Sequence, residues 1–221
     1  SLINRALTKG RVDGIVSSLD KNFMVPVGSA IVYGEQTFVE EVGRIYPGRG
    51  GGQGVVDLWC TLMEMGRRGL TTVLLERIKV REHFLKEYKA LAKRHGERVL
   101  ETGDNGISYG MTLGGFGDDW VGMIGSMLFT RCATGARVVK KGERKKIGEH
   151  VLEGFGSSTE GYGTSYITAA VGVGMRREEV DGFIKRLDKA MKDVKKKEKK
   201  NKKKDDEERG PSPKAEAQDT T

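Results

Sequence analysis

Long apolar runs are missing from this sequence. No stretch approaches the ~20 residues that a membrane helix needs, and no signal peptide opens the chain. Cysteine is scarce as well, with two residues in 221, Cys60 and Cys132. Two are too few for a disulfide framework, and they lack metal-ligand spacing, so buried thiols in a reducing compartment are the simplest expectation. The three histidines, His83, His95 and His150, form no local cluster, which argues against a zinc site. Prolines number only four, so punctuation falls to the 32 glycines. The chain starts Ser1-Leu2-Ile3 without an initiator methionine. The expectation is a soluble, cytoplasmic chain, part of something longer, with enough residues for a real core.

What is abundant is positive charge, unevenly placed. The net charge is +8, yet residues 192–204 alone carry nine Lys against Asp193 and Glu198. Residues 205–221 are acidic, and the rest of the chain is moderately basic. A basic body beside a lysine run suits a polyanion such as RNA, although lysine-rich ends also serve as solubilising tails.

The hydrophobic pattern predicts a mixed α/β chain. Residues 11–33 read as two short strands with Lys21 in the turn between them. Residues 33–48 suggest a short helix stopped by Tyr46-Pro47-Gly48, and "RGGGQG" (49–54) a flexible loop that lacks the Gly-Lys-Ser/Thr ending of a P-loop. A helix over 55–66 is expected to stop at Gly66. The clearest helix spans 70–95, with Leu74, Ile78, Leu85, Tyr88 and Ala92 in one stripe and Gly96 as its cap. Strands are expected at 106–113 and 136–139, an apolar small-residue run at 166–174, and helices at 118–129 and 177–194. The last is amphipathic through Val180, Phe183, Ile184, Leu187, Met191 and Val194. From about 195 onward the apolar periodicity ends, which predicts disorder. Tyr162, Tyr166 and Trp120 read as packing residues rather than base-stacking platforms.

Five segments occur in order: "SLDKNFMVPVG" (18–28), "YPGR" (46–49), "GSMLFTR" (125–131), "GARVV" (135–139) and "FIKRLDKAMK" (183–192). Together they resemble O-phosphoseryl-tRNA(Sec) selenium transferase, from near residue 10 to about 195. The resemblance implies a fold-type-I pyridoxal-phosphate enzyme. It would convert O-phosphoseryl-tRNA(Sec) to selenocysteinyl-tRNA(Sec), with selenophosphate as donor, as a homotetramer with active sites at subunit interfaces. Residues 1–69 would then end the large cofactor-binding domain and 70–96 form a linking helix. Residues 97–195 would be a smaller C-terminal α/β domain and 196–221 a disordered charged tail.

Lys21 matches the family's Schiff-base lysine, both catalytic and cofactor-binding. Such an amine must be neutral often enough to attack an aldehyde, and a desolvated strand end favours that. Arg49 matches the arginine that holds the substrate phosphate, a role for which paired guanidinium donors are suited. Arg131 matches the arginine placed against the discriminator guanine of the tRNA, and Lys195 and Lys196 fall where the last helix meets the acceptor arm. Without the resemblance, these are a turn lysine, a loop arginine, a helix-end arginine favoured by the dipole and a solvated lysine run. The family's cofactor-phosphate loop and ring-stacking residue would lie upstream, which suggests that this stretch alone is inactive. Two alternatives remain: a non-catalytic tRNA-binding or assembly fragment that keeps the fold, and another fold-type-I enzyme acting on a free amino acid.

Overall fold

The computed structural model describes residues 2–46, 48, 51–103, 105–157 and 161–209. The chain divides into two compact units, residues 1–79 with 172–175, and residues 80–171 with 176–221.

In the first unit, α1 (Leu2–Lys9) precedes a hairpin of β1 (Gly14–Ser18) and β2 (Ala30–Gly34). The strands pair antiparallel from Gly14↔Gly34 to Ser18↔Ala30, as the two apolar runs suggested. The connection is not a plain turn. It begins with the single helical turn α2 (Leu19–Asn22), and Leu19 and Val25 are its buried anchors. The Leu19 N–H donates to the Ser29 carbonyl at 3.1 Å, which closes the loop on itself. Helix α3 (Gln36–Ile45) follows and lays Phe38 across Gly14. A Cβ on Gly14 would lie 2.0 Å from the Phe38 ring, so only glycine admits this contact.

Helix α4 runs from Gln53 to His95 and breaks at Gly66, whose φ is 54°. The expected stop at Gly66 is therefore a kink, after which the helix resumes. Its C-terminus ends as the glycine at 96 foretold. Gly96 has φ 76°, its N–H donates to the Lys93 carbonyl, and the Glu97 N–H donates to Ala92, the two bonds of a Schellman cap. The expected stripe is only partly inward. Tyr88 and Ala92 are buried with Val80, Phe84 and Leu91, whereas Leu74 and Ile78 are exposed.

The second unit is built on β3 (Ser108–Thr112), β4 (Arg137–Val139) and β7 (Tyr166–Ala170), antiparallel in the order β3-β7-β4. Tyr109, Met111, Ile167 and Ala169 alternate inward and are buried. Phe84 stacks on Tyr88 at 4.8 Å between ring centroids and also meets Tyr109 and Phe183. The buried Tyr88 hydroxyl donates to the Ile167 carbonyl, and burial pushes its ionisation upward. Helices α5 (Asp118–Thr130) and α6 (Arg177–Arg209) complete this core through Val121, Ile124, Leu128 and the expected α6 face. Glu97 ties the α4 end to the loop after β3. Its carboxylate accepts from the Thr112 hydroxyl at 2.6 Å and from the Gly114 and Gly115 N–H groups at 3.1 and 2.8 Å. An exposed hairpin of β5 (Arg144–Ile147) and β6 (His150–Glu153) has no counterpart in the sequence reading.

Two expectations need correction. Helix α6 continues through the lysine run to Arg209. Apolar periodicity reports tertiary packing, and its loss at 195 does not end a helix. Lys, Glu and Arg are good helix formers, and the Glu198–Lys202 pair at 3.3 Å is a favourable i,i+4 contact. Residues 210–221 lie outside the described residues. Cys60 and Cys132 are both exposed rather than buried. Among the described residues, no helix is long and apolar enough to cross a membrane, and no cluster of ligating side chains could hold a metal.

Candidate active-site lysine and nucleic-acid interface

Lys21 projects from α2, directly after the end of β1. Its Nζ donates to Asp20 Oδ2 at 2.8 Å and to Ser18 Oγ at 3.3 Å. The Ser18 hydroxyl also donates to Asp20 Oδ1, so the carboxylate gathers both donors. The hydrogen bond from Lys21, then that from Ser18, holds the Asp20 carboxyl below its ordinary value. The described residues do not supply the expected enclosure: the Lys21 side chain is 73% exposed. The amine stays at the end of β1, bonded to Ser18, on its exposed side. What remains is an accessible primary amine in a fixed turn, able to reach a carbonyl ligand once it gives up a proton.

Arg49 lies outside the described residues, but the segment after it is informative. Gly54, in the first turn of α4, is buried against Ser29, and a Cβ there would fall 2.1 Å from Ser29 Oγ. Ser29 is the residue whose carbonyl holds the first N–H of α2. Gly54 thus brings the start of α4, which begins four residues after Arg49 in sequence, to the base of the Lys21 loop. In the sequence, Gly54 reads only as the last glycine of the flexible loop over 49–54.

Arg131 caps α5. The Cys132 N–H donates to Phe129 and the Ala133 N–H to Leu128, again a Schellman pattern, but the left-handed position holds Cys132 at φ 55°. Arg131 Nη1 donates to the Met127 carbonyl at 3.1 Å, and Nη2 donates to Asp193 Oδ2 of α6 at 2.8 Å. Its side chain is 26% exposed.

Lys195 is less free than a solvated lysine. Its Nζ donates to the His95 carbonyl at 2.9 Å and lies 4.8 Å from the Phe116 ring centroid. Lys196 is exposed. Both line an open groove of about 790 Å³, with Arg94, Lys185, Lys189 and Lys192 as its other cations and Asp188 and Asp193 as its acids. His95 Nε2 sits 2.8 Å from Asp188 Oδ1, and Lys192 donates to Oδ2 at 2.6 Å. Burial raises the Asp188 carboxyl, but the Lys192 and His95 hydrogen bonds outweigh it and hold the group low. Through Asp193 the fold brings Arg131 to the middle of α6, beside the groove that Lys195 and Lys196 line. No local signal marks His95, Asp193 or Glu97, because each gains meaning from a partner distant in sequence, and Asp188 has a local partner only in Lys192.

Residues 1–192 match the family model described as O-phosphoseryl-tRNA(Sec) selenium transferase, SepSecS. The chain is 36% identical over 206 residues to the O-phosphoseryl-tRNA(Sec) selenium transferase of Dictyostelium discoideum, covering 85% of this chain and 43% of that protein. It is 33% identical over 201 residues to the Methanopyrus kandleri enzyme of the same name, covering 86% and 42%. The crystal structure of archaeal O-phosphoseryl-tRNA(Sec) selenium transferase aligns with a TM-score of 0.67 at 27% identity, over 82% of this chain and 39% of that one. The chain thus spans about two-fifths of the length of these relatives.

Proposed function

The chain belongs to the O-phosphoseryl-tRNA(Sec) selenium transferase family, a fold-type-I family, and on that premise we propose that it serves the conversion of O-phosphoseryl-tRNA(Sec) to selenocysteinyl-tRNA(Sec). Selenophosphate is the proposed selenium donor, pyridoxal 5'-phosphate the cofactor and the cytoplasm the setting. The observation that carries the reading is the Ser18–Asp20–Lys21 turn, inside the matched residues, with an accessible amine at its tip.

The turn admits a covalently held aldehyde cofactor because the amine is exposed, and the amine attacks as the free base once it leaves the Asp20 ion pair. Pyridoxal phosphate, when bound, supplies an electron sink that eases loss of a proton from a substrate Cα. Lys21 is the residue proposed to hold the cofactor and to take that proton. Asp20 steadies the amine between these tasks. Arg49 is proposed to grip the phosphate of phosphoserine, and Arg131 to face the discriminator guanine. Lys196 is proposed to neutralise acceptor-arm phosphates, and Lys195 to join it through the donors that the His95 carbonyl leaves free. Enclosure of Lys21 falls to surfaces beyond the described residues. Val55, Trp59 and Met63, spaced four apart on α4, leave an exposed apolar stripe that supports the proposed homotetramer with sites at subunit interfaces.

The test is cofactor trapping in the full-length protein. After loading with pyridoxal phosphate and reduction with borohydride, peptide mass spectrometry is expected to place the adduct on Lys21. Lys21→Ala is expected to lose both adduct and turnover. An adduct on another lysine would refute the assignment. Absence of any adduct, with tRNA binding retained, would favour the non-catalytic tRNA-binding alternative.

A further inference from the structure

The groove along α6 holds an anomaly. Its walls present six cations, Arg94, Lys185, Lys189, Lys192, Lys195 and Lys196, and only two acids. An acid on a surface that meets phosphates opposes binding. Asp188 is accounted for, since it is shared between His95 and Lys192. Asp193 bonds to none of these cations. Its oxygen goes to Arg131, on another helix, at 2.8 Å.

Resting on the tRNA reading of Arg131, we propose that Asp193 is a positioning residue that aims the Arg131 guanidinium and confines it to reading a base. Three features support this. First, the guanidinium is held from two sides, by the Met127 carbonyl on its own helix and by Asp193 on α6. Two of its five N–H donors are thereby engaged among the described residues, leaving others for a ligand. Second, the backbone under it is fixed by the cap at Cys132 and Ala133, and the Cys132 carbonyl accepts from Arg186 of α6 at 3.4 Å. A fork held this way loses little freedom on binding, which favours an edge with defined acceptors. Third, Asp193, a lining residue of the cation-rich groove, offsets the charge of the Arg131 guanidinium bonded to it, which discourages a plain phosphate contact. The neighbouring lysines keep that task, and the arginine keeps selectivity.

The experiment uses the full-length protein and tRNAs that differ only at the discriminator base, titrated at several salt concentrations. Arg131→Ala is expected to reduce preference for guanine about 10-fold or more. Asp193→Asn keeps the shape and is expected to reduce it about 3- to 10-fold, by loosening the fork without removing it. The salt slope should stay level or steepen, because a freed cation gains phosphate contact. Asp193→Glu should recover most of the preference, which separates aiming from a general effect on folding. If Arg131→Ala abolishes preference while Asp193→Asn keeps it, Asp193 is only a clamp between helices and the proposal fails. If Arg131→Ala itself leaves preference intact, the underlying tRNA reading fails, and this inference with it.

Discussion

Gly54→Ala tests whether the start of α4 and the Lys21 loop are one packed feature. The added Cβ would lie 2.1 Å from Ser29 Oγ and 2.6 Å from Ser29 Cβ, both far inside contact distance. Ser29 cannot simply rotate away, because its own Cβ is among the clashing atoms. Relief requires backbone movement, and overpacking of this kind costs about 1–3 kcal/mol. Replacing a helical glycine by alanine returns at most about 1 kcal/mol, and less in a first turn. The net expectation is a loss of about 0.5–2 kcal/mol. Ser29→Gly removes both clashing atoms, so the double variant should recover most of that loss, with a coupling of about 1–2 kcal/mol. Equilibrium unfolding of the four proteins gives the cycle. Borohydride trapping in the same set asks whether the strained variant also loses cofactor from Lys21, because Ser29 holds the first N–H of α2. A Gly54→Ala protein as stable as the parent, with no coupling to Ser29→Gly, would refute the close approach of these segments.

Other outcomes follow from single groups. Glu97→Ala leaves two backbone N–H groups and the Thr112 hydroxyl without their acceptor. It should cost about 2–4 kcal/mol in thermal unfolding, and a loss under 0.5 kcal/mol would remove Glu97 from that role. Cys132 occupies a left-handed position that suits glycine, so Cys132→Gly should stabilise by about 0.5–1 kcal/mol, and destabilisation would contradict the cap. The Asp188 carboxyl is held low in the folded chain, so its contribution is present above the ordinary carboxylate range, about pH 4, and is lost as pH falls through its folded value. Asp188→Asn should flatten the acid limb of a stability–pH profile, and an unchanged limb would show that the pair is inert.

Local signals carried much of the fold. Gly66 and Gly96 marked a kink and a cap because positive φ is cheap only for glycine, and the α6 stripe emerged because one face repeats every three to four residues. The β1–β2 hairpin was visible as two apolar runs, but its inner turn was not, since a single turn of helix has no period. The β5–β6 hairpin escaped because all its residues are exposed and lack alternation. The end of α6 lies beyond its apolar stripe because the helix propensity of the lysine run, not packing, carries the last turns. At the candidate site, Lys21 and Arg131 were found through family segments rather than chemistry. Asp193, Asp188 and Glu97 were beyond reach, since a carboxylate's partner across 62 residues, as for Arg131 and Asp193, leaves no trace in spacing.

The exposed thiol of Cys132 sits one residue beyond Arg131, at the mouth of the helix end proposed to meet the tRNA. The native chain therefore carries its own footprinting reporter. A mild alkylating reagent should modify Cys132 in the free protein and slow there when an acceptor end is bound, while Cys60, the exposed thiol of the other unit, provides an internal reference for reagent dose. Occupancy of the proposed RNA surface becomes readable from the ratio of two peptides, with no label introduced and no residue replaced.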